Sequence, residues 1–267
     1  MIIEWNAHLF SPDLGRYPVH ARAAYTPDVS GQPADPLAAY LERMRTEGID
    51  RAVIVHPEPY GDDHGLILDC LAREPARLWG TSLFYPKEPE APAKLEELVR
   101  RQPRIVSTRF HAHRGKEMYL DSFADRGVRS LWDGAVELGL IVELHIGANY
   151  AAQVAQVLRA CPETRVLIDH LAEPYMGDAV EYAEVLELAR FEHVYMKLSG
   201  LGHFAKDEPL YLSARPFTRR VLREFGPDRL VWGSGTPGIV DAHLPEYSEA
   251  ERAKVKGGNL ARLLGIG

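Results

Sequence analysis

Six of the eleven histidines, His8, His56, His111, His113, His145 and His170, each close a short apolar or β-branched run. Charged residues recur beside them at every second position. Arg109, His111 and His113 share one parity, Ile141, Glu143 and His145 a second, and Tyr195, Lys197 and Ser199 a third. Alternate residues of a strand face the same way, so each set places polar groups where a buried face would call for valine or leucine. Imidazole moves protons near neutral pH and ligates metals, a guanidinium or ammonium grips carboxylates, and buried charge is costly unless it is paired or used. Arg109 and Glu143 are the expected pair across neighbouring strands. His170 ends the run Val166-Leu167-Ile168-Asp169; turned into a pocket it is a candidate general base, and strand alternation then points Asp169 the other way. One such histidine alone reads equally well as a hydrogen-bonded rim residue, and it is the grouping that favours a site.

The runs that carry these residues start near Ile2, Arg51, Leu78, Arg104, Leu140, Arg165, His193 and Arg229. Segments of helical periodicity alternate with them: Pro36 to Glu47, Gly65 to Arg73, Ala91 to Arg101, Arg126 to Leu138, Ala151 to Ala160, Val180 to Ala189 and Ser213 to Phe225. Asp35-Pro36 is an N-cap followed by proline, Ser248 and Glu251 have capping-box spacing, and Gly48, Gly139 and Gly226 stand where left-handed C-caps belong. Strict alternation predicts a parallel sheet, and eight units predict a single (β/α)8 barrel over residues 1–267 rather than an open doubly wound sheet. Active sites of such barrels sit at the C-terminal ends of the strands, where the six histidines fall. The long irregular stretch of residues 11–33, with Arg16, Tyr17, His20, Arg22 and Tyr25, follows the first strand and is expected to be a lid.

A net charge of −7 and a pI near 5.9 argue against nucleic-acid and anionic-membrane partners, so a small molecule is expected. Cys70 and Cys161 read as small core residues in helices rather than as a disulfide or metal pair. The chain opens directly into a strand, with no leader and no membrane-length apolar run expected, which suits a cytoplasmic protein. The short stretch after the eighth strand suggests a reduced last unit, whose exposed neighbour another subunit of a homo-oligomer would cover.

The sequence resembles the amidohydrolase superfamily over essentially its whole length, in the branch of pyrone-dicarboxylate hydrolases, sugar-acid lactonases, and carboxysemialdehyde and resorcylate decarboxylases. The resemblance lies in Ile2 to Phe10, Val142-Glu143-Leu144-His145, Leu167-Ile168-Asp169-His170-Leu171, Val194-Tyr195-Met196-Lys197-Leu198-Ser199-Gly200 and Asp228-Arg229-Leu230-Val231-Trp232-Gly233-Ser234. It implies a His-x-His pair on strand one, histidines on strands five and six, and an aspartate after strand eight, which in metal-dependent members hold a divalent ion, often zinc. Here the pair reads Asn6-Ala7-His8, and Gly235 takes the place of the aspartate. No bound metal is therefore expected; an ion, if one binds, would fall to His8, His145 and His170.

The reading that follows is a hydrolase of a small carboxylated lactone or ester that works without a metal. His170 or His145 handles the proton, Glu143 orients one of them, and Arg109, Lys197 and His111, with Arg16 and Tyr17 from the lid, bind the substrate. Two alternatives stand beside it. One is a metal-dependent hydrolase or decarboxylase using the remaining histidines; the other is a barrel that binds or scaffolds without catalysis.

Overall fold

The computed structural model describes residues 1–112 and 119–266; His113 lies outside them. Eight parallel strands run in sequence order: β1 (Ile3–Ala7), β2 (Arg51–Ile54), β3 (Leu78–Leu83), β4 (Ile105–His111), β5 (Ile141–His145), β6 (Val166–Ile168), β7 (Val194–Leu198) and β8 (Leu230–Trp232). β8 returns against β1, so the sheet forms a nearly closed (β/α)8 barrel. Seven crossover helices cover it: α1 (Pro36–Glu47), α2 (Gly65–Arg73), α3 (Ala91–Arg101), α4 (Arg126–Glu137), α5 (Ala151–Ala160), α6 (Ala179–Glu187) and α7 (Arg215–Phe225). Each strand begins within one residue of its expected start, because the apolar runs are bounded by strong caps. The Asp35 carboxylate accepts from the Ala38 N–H, and Ser248 and Glu251 close a capping box. Gly48 and Gly139 take positive φ as C-caps should; Gly226 does so too, but with ψ 174°, so it turns into an extended link rather than a left-handed cap.

The helices bury one stripe each. On α4 the stripe is Val128, Leu131, Trp132 and Ala135, all fully buried, at the i, i+3, i+4, i+7 spacing that puts residues on one face. Each large apolar side chain so covered contributes roughly 1.5–3 kcal/mol. Inside the barrel a separate apolar layer of Ile3, Trp5, Val53, Val55, Ile141, Leu167 and Val231 fills the lower half. Three helices follow the eighth strand, α8 (Gly238–His243), α9 (Glu249–Ala253) and α10 (Asn259–Leu264). Leu260, Ala261 and Leu263 of α10 join the interior layer. Cys70 is buried and Cys161, just past α5, is partly exposed; neither is in a disulfide. No helix among the described residues is long and apolar enough to cross a membrane.

Registry places the polar residues above this layer. Arg109 pairs with Glu143 and His111 with His145 across β4 and β5. A bulge between Trp5 and Ala7 of β1 changes the alternation, so Asn6 and His8 reach the upper cavity while Ile3 and Trp5 fill the layer beneath. Gly233, just past β8, makes room for β7: a Cβ there would lie 2.6 Å from Lys197 Cγ and 2.6 Å from Ser199 Cβ. Gly233→Ala should therefore overpack the interior and cost roughly 1–3 kcal/mol. Thermal unfolding should show it as a melting temperature several degrees lower, and an unchanged melting point would contradict the packing described.

Candidate active site

The upper end of the barrel opens into a cavity of about 300 Å3 lined by Asn6, His8, Phe10, Tyr25, Pro57, Glu58, Arg109, His111, His145, His170, Gly200, His203 and Ser234. Beneath it runs a continuous chain of buried polar contacts. Trp5 Nε1 donates to Glu143 Oε2 at 3.2 Å, and Lys197 Nζ reaches Glu143 Oε1 at 2.5 Å and Asp169 Oδ1 at 2.6 Å. Arg109 donates to Asp169 Oδ2 through Nε at 3.0 Å and Nη2 at 2.7 Å, and Nη2 also donates to His145 Nδ1 at 2.8 Å. His145 Nε2 meets Glu173 Oε1 at 2.9 Å, and Glu173 also receives His203 Nδ1. Lys197, Glu143, Asp169 and Glu173 are fully buried, and Arg109 nearly so.

Charges so deep must satisfy each other, since a lone one would cost several kcal/mol. Burial alone would raise the Asp169 carboxyl, but Lys197 and Arg109 outweigh it and hold Asp169 well below the usual carboxylate range. Glu143 goes the other way: burial, aided by the neighbouring Asp169 charge, raises it despite Lys197. The network therefore keeps its negative charge on Asp169 first.

The pairing expected between Arg109 and Glu143 is looser than the one Arg109 makes with Asp169; Nε stands 3.8 Å from Glu143 Oε1. Glu143 orients no histidine and instead holds Lys197 and Trp5. Asp169, expected to point away from His170, shares the interior with it because regular strand geometry ends at Ile168. His170, Leu171, Ala172 and Glu173 all have positive φ, between 47° and 58°. A left-handed turn of L-residues costs roughly 1–2 kcal/mol per residue. It places His170 and Glu173 within one ligand-sized region, and Gly200 makes this possible, since a Cβ there would lie 2.5 Å from the His170 ring.

Of the expected histidines, His8, His111, His145 and His170 line the cavity. His56 is instead in the wall, its ring 4.4 Å from that of His64 and its Nε2–H donated to the Gly61 carbonyl. His111 stacks on His145 at 4.6 Å and on Tyr119 at 5.8 Å. Lys197 lies below the cavity, and Arg16 and Tyr17 both bind Asp69 of α2 rather than line it. Arg22 covers the Tyr85 ring and pairs with Glu88. Glu58, Glu173 and His203 also belong to the site and are not marked by strand parity. Glu58, two residues beyond His56, and Glu173, three beyond His170, both stand past strand ends on the functional face, and that position was the available signal.

His145, His170 and Glu173 offer ligand atoms within 4.8 Å of one another and could hold a metal; His8 is not part of this set. The hydrogen bonds as they stand do not suit one. A guanidinium only donates, so Arg109 takes the lone pair of His145 Nδ1, the neutral ring then carries its proton on Nε2, and that proton goes to Glu173. His145 has no lone pair left for an ion. Gly235 supplies no ligand and has φ 82°; a Cβ there would meet Ile239 Cδ1 at 2.5 Å, while its carbonyl accepts from Arg43 Nη2.

The amidohydrolase family model (Amidohydro_2) matches residues 3–266, and the chain belongs to that family. It is 29% identical over 238 residues to 4-sulfomuconolactone hydrolase of Hydrogenophaga intermedia, covering 87% of this chain and 74% of the relative. Among solved structures, a Pseudomonas putida protein assigned as a 2-pyrone-4,6-dicarboxylic acid hydrolase superposes with TM-score 0.77 at 24% identity, over 99% of this chain and 97% of that one. A Burkholderia multivorans amidohydrolase with bound zinc superposes with TM-score 0.72 at 18% identity over the whole of both chains.

Burial holds several imidazoles neutral. His8 is pushed down to about 3 by desolvation and by Arg109 and Lys197, His56 to about 4 by desolvation, and desolvation holds His64 and His170 well below the usual value. Their folded pKa values lie below the unfolded value near 6.5, so the stability they contribute is full above that pH and is lost as pH falls toward the folded values. Each adds up to about 1.4 kcal/mol of destabilisation per pH unit in that window. Urea midpoints measured from pH 7.5 to 5 should fall steeply; a flat profile would mean that these rings are not buried neutral.

Proposed function

We propose that the chain hydrolyses a small carboxylated lactone without a bound metal. The observation that carries this reading is the convergence of Arg109 and the neutral His170 on one cavity at the C-terminal face of an amidohydrolase barrel. A volume near 300 Å3 suits a single ring with one or two substituents. Arg109, its orientation fixed by Asp169 and His145, holds the substrate carboxylate or the oxyanion that forms when water adds to the carbonyl. His170 shares a hydrogen bond with Ser199 Oγ through Nδ1 at 2.8 Å. With the Nδ1 proton given to Ser199, Nε2 presents a lone pair that takes the proton of the attacking water. Lys197 acts from below, by holding Asp169 and hence Arg109. The relative's name as a lactone hydrolase supports this chemistry, and the engaged nitrogens of His145 support the metal-free form.

The loop of residues 11–33 serves as the lid. It is tied to the barrel rim by Ser11 N–H to Tyr60 Oη, His20 N–H to the Pro59 carbonyl and Ala24 N–H to Glu58, and it lends Tyr25 to the cavity.

Purified protein should open carboxylated six-membered lactones in a pH-stat assay, with the rate unchanged after dialysis against a chelator. His170→Gln should lower kcat about 10²- to 10⁴-fold. Loss of activity on chelation, restored by zinc, would replace this reading with the metal-dependent one. A protein inert to such lactones but binding them would favour a non-catalytic barrel.

A further inference from the structure

Four buried carboxyls gather at the barrel mouth, and three have both oxygens against a hydrogen-bond donor or a cation, Asp169 Oδ1 through its ion pair with Lys197 alone. Glu143 is held by Lys197 and Trp5, Asp169 by Lys197 and Arg109, and Glu173 by His145 and His203. Glu58 differs. Its Oε1 accepts from the Ala24 N–H at 3.0 Å and from Tyr119 Oη at 3.2 Å, while its Oε2 is buried without a hydrogen-bond partner. Glu58 also lines the cavity, where it is the one acidic side chain among the described lining residues. An ionised carboxylate with a bare buried oxygen would forfeit its hydration there, whereas a proton on Oε2 makes the group neutral, which costs less to bury, and leaves Oε1 free to accept both donors.

We propose that Glu58 is the general acid of this site and gives its Oε2 proton to the ring oxygen as the lactone opens, a role that rests on the lactonase reading above. The water oxygen bonds to the carbonyl carbon and its proton passes to His170. The bond from that carbon to the ring oxygen then breaks, and the electron pair left on the ring oxygen takes the proton of Glu58. The product is a hydroxy acid; the proton held by His170 returns through water to the Glu58 carboxylate, and one lactone and one water are consumed.

The groups facing Glu58 are Tyr119 and, stacked on it, Tyr85, with Arg109 and His20 at longer range. Burial raises the Glu58 carboxyl and outweighs the Ala24 N–H, Tyr119, His20 and Arg109, all of which favour the anion. The acid form is the active one, so the rate should fall as pH rises through this group.

The test compares 3,4-dihydrocoumarin-4-carboxylate, whose leaving group is a phenol, with the matching tetrahydropyranone-4-carboxylate, whose leaving group is an alcohol. Glu58→Gln should lower kcat on the alcohol-leaving lactone about 10²- to 10⁴-fold. It should lower kcat at least tenfold less on the phenol-leaving one, and the alkaline limb of the pH profile should disappear. Equal losses on both lactones, or a retained alkaline limb, would overturn the role of Glu58 while leaving the lactonase standing. Wild-type protein inert to both would overturn the lactonase reading itself. If Glu58→Gln does not fold, Tyr119→Phe serves: it removes a donor to Oε1, so the alkaline limb should move to higher pH, and an unmoved limb refutes the proposal.

Discussion

The structure depends on one constraint, that charge placed inside a barrel must be balanced inside it. Arg109, Lys197, Asp169 and Glu143 come from four consecutive strand positions around the ring, β4, β7, the end of β6 and β5, and none of them can be satisfied by its own strand. Their contacts therefore fix the relative height of four strands as firmly as backbone pairing does. The apolar layer beneath supplies most of the stability, but it tolerates exchange of one aliphatic side chain for another; the ionic layer does not, because removing one member strands its partner.

Above that layer, the ionic contacts become orientation. Arg109 is the hinge between the two: one face of its guanidinium satisfies Asp169, and the Nη2 that also touches His145 fixes which nitrogen of that ring carries the proton. That choice passes outward to Glu173 and His203. In the cluster of His145, His170 and Glu173 both ring nitrogens of His145 and both oxygens of Glu173 are thus engaged by hydrogen bonds, and the two departures from the family pattern, Asn6 and Gly235, fall on the same side of the cavity with Ser234 and His8, where a second open space of about 430 Å3 adjoins it.

Much of this was legible in the sequence. Strand and helix limits follow from caps and periodicity, and the polar parity of Arg109, His111, Glu143, His145 and Lys197 announced an unusual interior. What was hidden depended on departures from regular geometry. The bulge in β1 lets Asn6 and His8 face the cavity although Trp5 faces the layer below. The left-handed turn after β6 brings Asp169, His170 and Glu173 inward together, where alternation allows only one of the first two. Neither has a glycine or proline to signal it: the turn is written in histidine, leucine, alanine and glutamate, so only the tertiary surroundings impose it. Glu58 and Arg16 could not be placed from the sequence for a simpler reason. Loop side chains have no periodicity, and whether one meets a cavity or a neighbouring helix is decided in three dimensions.

Leu260, Ala261 and Leu263 occupy the floor of the barrel, in the same apolar layer as Ile3 and Trp5. Residues some 255 positions apart in the chain therefore share one interior. On a ribosome that adds roughly 5–20 residues per second, the first strand waits many seconds before its neighbours on the floor have been made. Until then Ile3 and Trp5 lack the α10 side chains that share their layer.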